Sequence, residues 1–271
     1  MKRTSLLALA CLLLASPALC GEGQAEPPGP TREAPVARED GRRTLRRFPA
    51  NLLRSVGGVF SGDNLGPLLA GGTVTAGASF FDDDVADYIA DPEHGFGKSF
   101  EDGAAPEVLG LAVAGVFTAG RFVEAPRFRA MSYDLLDAFV VNWAYTGVLK
   151  VAVGRERPNG QDEKSFPSGH ASNAFALATV VERHYGWKAG LPAYAVASAV
   201  GVSRLQRNKH YLSDVLAGAT LGYIVGRTVA RVNGRPLDGP KGPQVSLTPV
   251  VGPRVRALVV SVSWPSRSQP E

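Results

Sequence analysis

Cysteine is nearly absent from this chain and does not occur after its first twenty residues. The sequence has 271 residues and two cysteines, Cys11 and Cys20. A chain cut after Cys20 would contain no thiol, which excludes disulfide bonds, a thiolate nucleophile and a cysteine-bound metal.

Long hydrophobic runs are also scarce in the middle of the chain, although helix-like apolar segments are frequent there. The longest uncharged run in six such segments, Leu65 to Phe81, has 17 residues, whereas a membrane-spanning helix needs about 20. The mean hydropathy of -0.01 is that of an ordinary globular protein. We therefore predict the buried helices of a soluble, exported protein and keep an integral inner-membrane protein as the alternative.

An excess of charge of one sign is the third absence. Lysines and arginines number 29 and acidic residues 25, for a formal net charge of +4. Lys2 and Arg3 supply two of the positive charges and lie in the segment that we predict to be removed. The rest of the chain then has a small positive excess without a concentrated basic patch, so nucleic acid is not an expected partner.

The first twenty residues predict an export signal. Two basic residues precede an apolar run, Leu6 to Ala15, that is too short to span a bilayer, and small residues flank a cut after Cys20. Lipidation of Cys20 is disfavoured because Leu19 is large where such sites have a small residue. We predict a signal peptide at residues 1–20 and a periplasmic or cell-envelope protein.

Composition divides the remaining chain into four parts. Residues 21–42 are rich in proline, glutamate and glycine and predict a disordered linker. Residues 43–64 are basic and amphipathic, and they predict either a helix that contacts an anionic membrane surface through residues 43–60 or a helix packed on the core. Residues 232–271 predict a C-terminal tail with a short β-hairpin, formed by Val245 to Val250 and Ala257 to Trp264.

The fourth part, residues 65–231, predicts an all-α, six-helix bundle-like core. Its apolar segments recur with helical spacing and are separated by charged or turn-forming residues. The six segments are Leu65 to Phe81, Val108 to Gly120, Tyr133 to Val153, Ala171 to Val181, Ala189 to Val202 and Val215 to Val229.

Residues capable of chemistry concentrate between Lys150 and Asp214. Lys150 ends a predicted helix and Pro158 prevents that helix from continuing, so that Lys150 and Arg157 can converge from a helix end and a loop. Together with Arg204 they supply three cations, which suit a phosphoryl group and the charge of its transition state.

Two further blocks complete the pattern. Pro167-Ser168-Gly169-His170 precedes an apolar helical run, where Ser168 is predicted to cap the helix and free backbone amides can bind phosphate oxygens. His210 and Asp214 are four residues apart, which predicts that they share one face of a helix. The carboxylate can then keep one imidazole nitrogen protonated and leave the other free to attack.

The three blocks resemble the three-part signature of the type-2 phosphatidic acid phosphatase superfamily. KVAVGRERP, PSGH and SRLQRNKHYLSD have the order and spacing of the family's Lys-x6-Arg-Pro, Pro-Ser-Gly-His and Ser-Arg-x5-His-x3-Asp. The resemblance covers roughly Leu65 to Val229 and implies a phosphatase catalytic domain over residues 65–231. The linker and the C-terminal tail lie outside it.

The resemblance implies a metal-independent phosphatase that passes through a phosphohistidine and needs no cofactor. His210 resembles the nucleophile, Asp214 the acid that orients it, and His170 the general acid that protonates the leaving oxygen and then activates water. The resemblance also implies a phosphate cradle, which vanadate would occupy as a phosphate mimic. The cradle residues are Lys150, Arg157, Ser168, Gly169 and Arg204, with Ser203 beside them.

Substrate and protein class stay open at this point. Lipid phosphates, polyprenyl pyrophosphates and small phosphomonoesters all fit the same chemistry. The superfamily also contains vanadium-dependent haloperoxidases, and a non-catalytic envelope protein is a third hypothesis. His94 and His184 are predicted to be structural, and the acids Asp82-Asp83-Asp84 are predicted to favour the dipole at a helix start rather than to bind a metal.

Overall fold

The structure, a computed structural model, describes residues 43–90, 106–234, 244–251 and 256–263. The predicted signal peptide, the predicted linker at residues 21–42 and His94 lie outside the described residues. Within them the chain is mostly helical, as the sequence predicts.

Eight α-helices occur in the described part of the chain, and each of the six apolar segments falls on one of them. A 3₁₀ turn, Ser79–Phe81, extends the second helix over the end of its apolar segment. A short helix that the sequence analysis did not separate, α3, follows it directly. The helices are α1 Phe48–Gly58, α2 Leu65–Ala78, α3 Asp82–Ile89, α4 Pro106–Phe122, α5 Pro126–Val153, α6 Gly169–Tyr185, α7 Trp187–Gln206 and α8 Leu212–Gly234.

Two strands, β1 Gln244–Val251 and β2 Arg256–Ser263, pair in an antiparallel register near the C-terminus. Val245 lies opposite Val262, and Val250 lies opposite Ala257. Residues 252–255 lie outside the described residues, so the hairpin connection stays a prediction, as does the count of six helices in the core.

The helix directions bring the three sequence blocks to one end of the bundle. Lys150 lies in the last turn of α5, while α6 and α8 begin at that same end and run away from it. The Ser168 N–H donates to the Asp214 carbonyl at 2.9 Å, which ties the start of α6 to the start of α8. A small apolar cluster of Ala171, Leu205 and Val215 packs beneath these helix starts.

Helices α6 and α8 approach each other closely because α8 carries glycine at every fourth position of the contact. A Cβ atom on Gly218 would lie 2.5 Å from the Ser168 carbonyl oxygen, and one on Gly222 would lie 2.1 Å from the Ser172 carbonyl oxygen. Gly226 repeats the pattern one turn further on. Residues four apart share a helix face, so these glycines form a flat stripe against the backbone of α6.

The segment that precedes α2 packs on the bundle rather than standing apart from it. Arg43 is buried and forms a two-bond ion pair with Asp134, with N–O distances of 2.9 and 2.7 Å. Helix α1 turns its polar Asn51 and Ser55 inward and leaves Leu53 73% exposed. The packed-helix interpretation of residues 43–64 is therefore confirmed for α1, and contact with a membrane surface stays a prediction.

His184 lies at the opposite end of the bundle from the sequence blocks. Its Nε2 is 2.8 Å from a carboxylate oxygen of Asp134, which also accepts from Arg43. This geometry agrees with the predicted structural role of His184.

Helix α5, with 28 residues, is long and apolar enough to cross a membrane, and it is the one helix of the described residues that meets this criterion by length and composition. At about 1.5 Å per residue it is about 40 Å long.

The glycine stripe generates a prediction about stability. Gly222→Ala would place a methyl group against backbone atoms that cannot move aside, so we expect a loss of about 1–3 kcal/mol and a lower Tm in a thermal unfolding experiment. Gly147→Ala is the matched control, because a Cβ on this helical glycine meets nothing within 4 Å and alanine favours helix. Equal Tm values for the two variants would contradict the close contact.

Candidate active site

The end of α5 places Lys150 at the site. The helix ends at Val153, where Gly154 adopts the left-handed conformation with φ of 57° and donates its N–H to the Lys150 carbonyl at 3.0 Å. The helix ends at the last residue of the predicted apolar segment, and the left-handed Gly154 ends it four residues before Pro158. The Lys150 ammonium donates to the Lys164 carbonyl, across the loop that follows.

That loop folds on itself and positions Arg157. Arg157 Nε donates to Asp162 Oδ1 at 2.7 Å, and its Nη1 donates to the Lys209 carbonyl at 3.0 Å. The same Nη1 lies 3.4 Å from His210 Nε2. Arg157 therefore connects the loop after α5 with the turn before α8, as its assignment to a phosphate cradle requires.

The start of α6 contributes the second block. Ser168 is the N-cap and accepts a hydrogen bond from the Ala171 N–H at 3.5 Å, as predicted. A Cβ on Gly169 would lie 3.8 Å from Lys150 Cε, so the helix start and the Lys150 side chain are neighbours. His170 is the second residue of the helix. Backbone amides of this first turn have no carbonyl partner inside the helix and are available to an anion.

The turn between α7 and α8 carries His210. Asn208 adopts a left-handed φ of 52°, which asparagine tolerates, and the chain reverses there. His210 precedes α8, which begins at Leu212, so the prediction that His210 and Asp214 share a helix face is wrong. Asp214 is the third residue of α8 and accepts the Tyr211 N–H at 2.9 Å, as the third residue of a capping box does.

His210 is deeply buried beside several cations. Burial lowers the pKa of His210 well below its ordinary value, and the positive charges of Lys150, Arg157, His170 and Arg204 lower it further. The structure thus brings the predicted site residues of the three blocks within electrostatic reach of one another. A neutral imidazole has a lone pair on one ring nitrogen, which a nucleophile needs.

Asp214 is held on several sides. Its Oδ1 accepts from Arg155 at 2.8 Å, and its Oδ2 accepts from Ser165 Oγ at 2.5 Å. The distance from Oδ2 to His210 Nδ1 is 3.9 Å, which is electrostatic contact and longer than a hydrogen bond. The carboxylate is therefore fixed behind the imidazole and faces Nδ1, and Nε2 faces Arg157.

Three residues that hold Asp214 in place escaped the sequence analysis. Arg155 and Ser165 lie between the recognised blocks, and Arg155 stands only two residues before Arg157. Asp82 was predicted to favour the dipole of its own helix, but it is 3% exposed and binds Arg155 and Ser213 instead. Asp82 is visible in the sequence as the first of three consecutive acids. Its role could not be inferred there, because its partners Arg155 and Ser213 lie 73 and 131 residues away.

Ser203 and the acidic triple behave differently from the cradle residues. Ser203 Oγ donates to the Val200 carbonyl of its own helix at 2.7 Å. Asp83 and Asp84 are exposed in the first turn of α3. Across the described residues, no group of three or more histidine or acidic side chains is arranged to hold a metal ion.

The burial of His210 generates a prediction about its titration. NMR of ring-¹⁵N-labelled protein should find His210 neutral at pH 5, whereas an ordinary histidine protonates near pH 6.5. Since the unfolded chain binds this proton and the folded chain does not, acidification below about pH 6.5 should also reduce stability. Lys150→Met removes one nearby cation and should raise the pKa of His210. Protonation of His210 near pH 6.5 in the unaltered protein would contradict the buried geometry.

Comparison with known proteins adds relatives to this geometry. A lipid A 1-phosphatase of Porphyromonas gingivalis is 36% identical over 121 residues, which are 44% of this chain and 27% of that protein. A decaprenylphosphoryl-5-phosphoribose phosphatase of Mycobacterium tuberculosis is 35% identical over 107 residues, which are 36% of this chain and 58% of that protein. The chain therefore covers less than two thirds of either relative.

A solved structure shares the fold. It is the first transmembrane PAP2 type phosphatidylglycerolphosphate phosphatase from Bacillus subtilis, with a TM-score of 0.51 and 20% identity over 68% of this chain and 94% of that one. Residues 133–236 match the PAP2 superfamily, the type-2 phosphatidic acid phosphatases. This range contains all three blocks that meet at the site, so the part of the chain that forms the site is similar to the PAP2 superfamily.

Proposed function

We propose that this protein is a phosphatase that hydrolyses phosphate esters through a phosphohistidine on His210, without a metal or other cofactor. The observation that carries the proposal is the placement of His210 between a fixed carboxylate and three cations. Asp214 faces Nδ1, and Arg157 lies 3.4 Å from Nε2. A phosphoryl group bound by Arg157, Lys150 and Arg204 would meet the free Nε2 lone pair.

The proposed reaction has two steps. Burial and the charges of Arg204, Lys150 and Arg157 lower the pKa of His170 to about 3, so His170 takes up its proton when the negative charge of the bound phosphate offsets these cations. His210 Nε2 attacks phosphorus and the bond to the ester oxygen breaks, while protonated His170 gives that oxygen its proton. His170 then takes a proton from water, and the water oxygen attacks phosphorus and releases inorganic phosphate with His210 restored. The cations and the amides at the start of α6 stabilise the charge on the equatorial oxygens in both steps.

We propose further that the substrate is a lipid phosphate and that the protein is integral to a membrane. Large apolar side chains project outward from four helices, while the interior contains hydrogen-bonded polar pairs such as Asn142 with Asn173 at 2.6 Å. An apolar exterior around an interior that contains hydrogen-bonded polar pairs suits lipid surroundings. The exposed side chains include Leu69 at 63%, Leu111 at 76%, Trp143 at 63%, Val151 at 85% and Leu191 at 65%.

The charges indicate an orientation. In the described part of the chain, the helix ends opposite the site, together with Arg43, Arg46 and Arg47 before α1, carry ten basic residues, and the more basic ends of membrane helices face the cytoplasm. Among the described residues the site end carries seven, which are Lys150, Arg155, Arg157, Lys164, Arg204, Arg207 and Lys209. This orientation places the site on the exported side of the membrane and residue 43 on the cytoplasmic side. A cleaved export signal would leave residue 43 on the exported side, so this orientation and the predicted signal peptide exclude each other. The basic residues at the helix ends opposite the site are Arg121, Arg127, Arg129, Arg183, Lys188, Arg227 and Arg231.

The catalytic proposal predicts a histidine-dependent, metal-independent activity. His210→Ala should reduce hydrolysis of a lipid phosphate at least about 1000-fold, since it removes the nucleophile. The matched control, His184→Gln, alters a histidine at the other end of the bundle and should keep the activity. The phosphoenzyme trapped by denaturation in alkali should be stable there and labile in acid, chelators should have no effect, and vanadate should inhibit competitively.

Other outcomes would contradict this proposal. Phosphate trapped on serine, or loss of activity on chelation, would overturn the phosphohistidine route. Oxidation of bromide after addition of vanadate, without phosphatase activity, would establish the haloperoxidase alternative instead.

The membrane proposal predicts opposite labelling of the two ends. Cys11 and Cys20 are replaced by serine, and a single cysteine is introduced as Glu163→Cys in the site loop or as Lys188→Cys at the start of α7, both exposed positions. A membrane-impermeant maleimide should label Glu163→Cys in intact cells and label Lys188→Cys only after lysis. The reverse pattern would overturn the orientation, and release of the protein by carbonate would overturn integration.

A further inference from the structure

Asp82 stands apart from its neighbours in the acidic triple. It is the first residue of α3 and is 3% exposed, whereas Asp83 and Asp84 are exposed. Its described side-chain hydrogen bonds join it to Arg155 and Ser213, outside its own helix. A buried carboxylate must find donors, and Asp82 finds them on residues far away in the chain.

Both oxygens of Asp82 bind the start of α8 or the loop before α6. Oδ1 accepts the Ser213 N–H at 2.8 Å, and this N–H in the first turn of α8 has no acceptor inside the helix. Oδ2 accepts from Ser213 Oγ at 2.5 Å and from Arg155 Nη2 at 2.9 Å. Asp82 therefore fixes the backbone and the side chain of the residue next to Asp214.

Arg155 carries this contact to Asp214 itself. One nitrogen of the guanidinium faces Asp82, and the other, Nη1, donates to Asp214 Oδ1 at 2.8 Å and to Ser213 Oγ at 2.7 Å. The guanidinium also lies over the Tyr211 ring, 4.1 Å from its centroid. A planar cation held at both edges and on one face has a fixed orientation.

The position of Asp214 decides which nitrogen of His210 is protonated. Its Oδ2 faces Nδ1 at 3.9 Å, so a proton on Nδ1 lies beside a negative charge and Nε2 keeps its lone pair. We propose that Asp82 is a positioning residue for the nucleophile His210, acting through Arg155 and Ser213 on Asp214. This inference rests on the proposed phosphatase function.

Helix α3 is held in place by a second contact. Ile89, in its last turn, packs against the apolar cluster of Ala171, Leu205 and Val215 beneath the site. The helix is thus attached at its first residue by Asp82 and at its last by Ile89, although it belongs to none of the three sequence blocks.

Asp82→Asn tests the proposal with little change in shape. The amide places a donor where Arg155 Nη2 and Ser213 Oγ also donate, so the guanidinium loses its fixed orientation. We expect kcat to fall about 10- to 100-fold, as for a small displacement of a reacting group, with KM and vanadate inhibition unchanged because the phosphate cradle is intact. Asp83→Asn, with the same change one residue away and exposed, should leave kcat unaffected.

A double variant checks the route. In an Asp214→Asn background, Asp82→Asn should change kcat less than about twofold, since the effect passes through Asp214. If the two substitutions reduce kcat by factors that multiply in the double variant, the route through Asp214 is overturned. If Asp82→Asn also weakens vanadate binding and lowers Tm, Asp82 supports the fold and has no positioning role.

A readout without catalysis separates this inference from the proposed function. Ring ¹⁵N shifts should show the Nδ1–H tautomer of His210 in the unaltered protein and in Asp83→Asn, and a mixture of tautomers in Asp82→Asn. A protein that hydrolyses no phosphate ester but shows this change would contradict the phosphatase and retain the positioning role. An active protein in which Asp82→Asn changes neither kcat nor the tautomer would overturn the positioning role alone.

Discussion

The close approach of α6 and α8 is the constraint on which the site depends. Gly218, Gly222 and Gly226 let the backbone of α8 rest on the backbone of α6, and the Ser168 N–H then reaches the Asp214 carbonyl. The starts of α6 and α8 therefore lie side by side. Ser168 and His170 lie at the start of α6, and His210 and Asp214 lie at the start of α8 or just before it. A side chain larger than glycine at these positions would separate His210 from the backbone amides at the start of α6.

Charge balance at the site follows from this packing. Burial and neighbouring cations keep His210 neutral, and the same cations are those that would bind a phosphoryl group. Asp214 is the one carboxylate facing the imidazole in the described contacts, and three donors hold it: Arg155, Ser165 and the Tyr211 N–H. The site thus combines a reactive neutral base with a concentrated positive charge, which free histidine in water could not maintain.

The far end of the bundle uses polar contacts for a structural purpose. Asp134 accepts from Arg43, His184 and Asn233, which join the segment before α1 to α5, α6 and α8. These groups bond to one another inside the bundle while apolar side chains face outward. A polar interior and an apolar exterior average to a mean hydropathy near zero, so composition alone does not separate a soluble protein from an integral one.

The sequence by itself determined the helical class, the six apolar segments and the three blocks, because helix periodicity and motif spacing are local properties. It also predicted Ser168 as a cap. It misplaced the helix start after His210, since the chain reverses at Asn208 through a left-handed backbone conformation that composition does not reveal. Only the tertiary structure decided that Asp82 and Arg155 hold Asp214, because their contacts join residues 59 to 131 positions apart and arise only when α3, the loop before α6 and the start of α8 pack together.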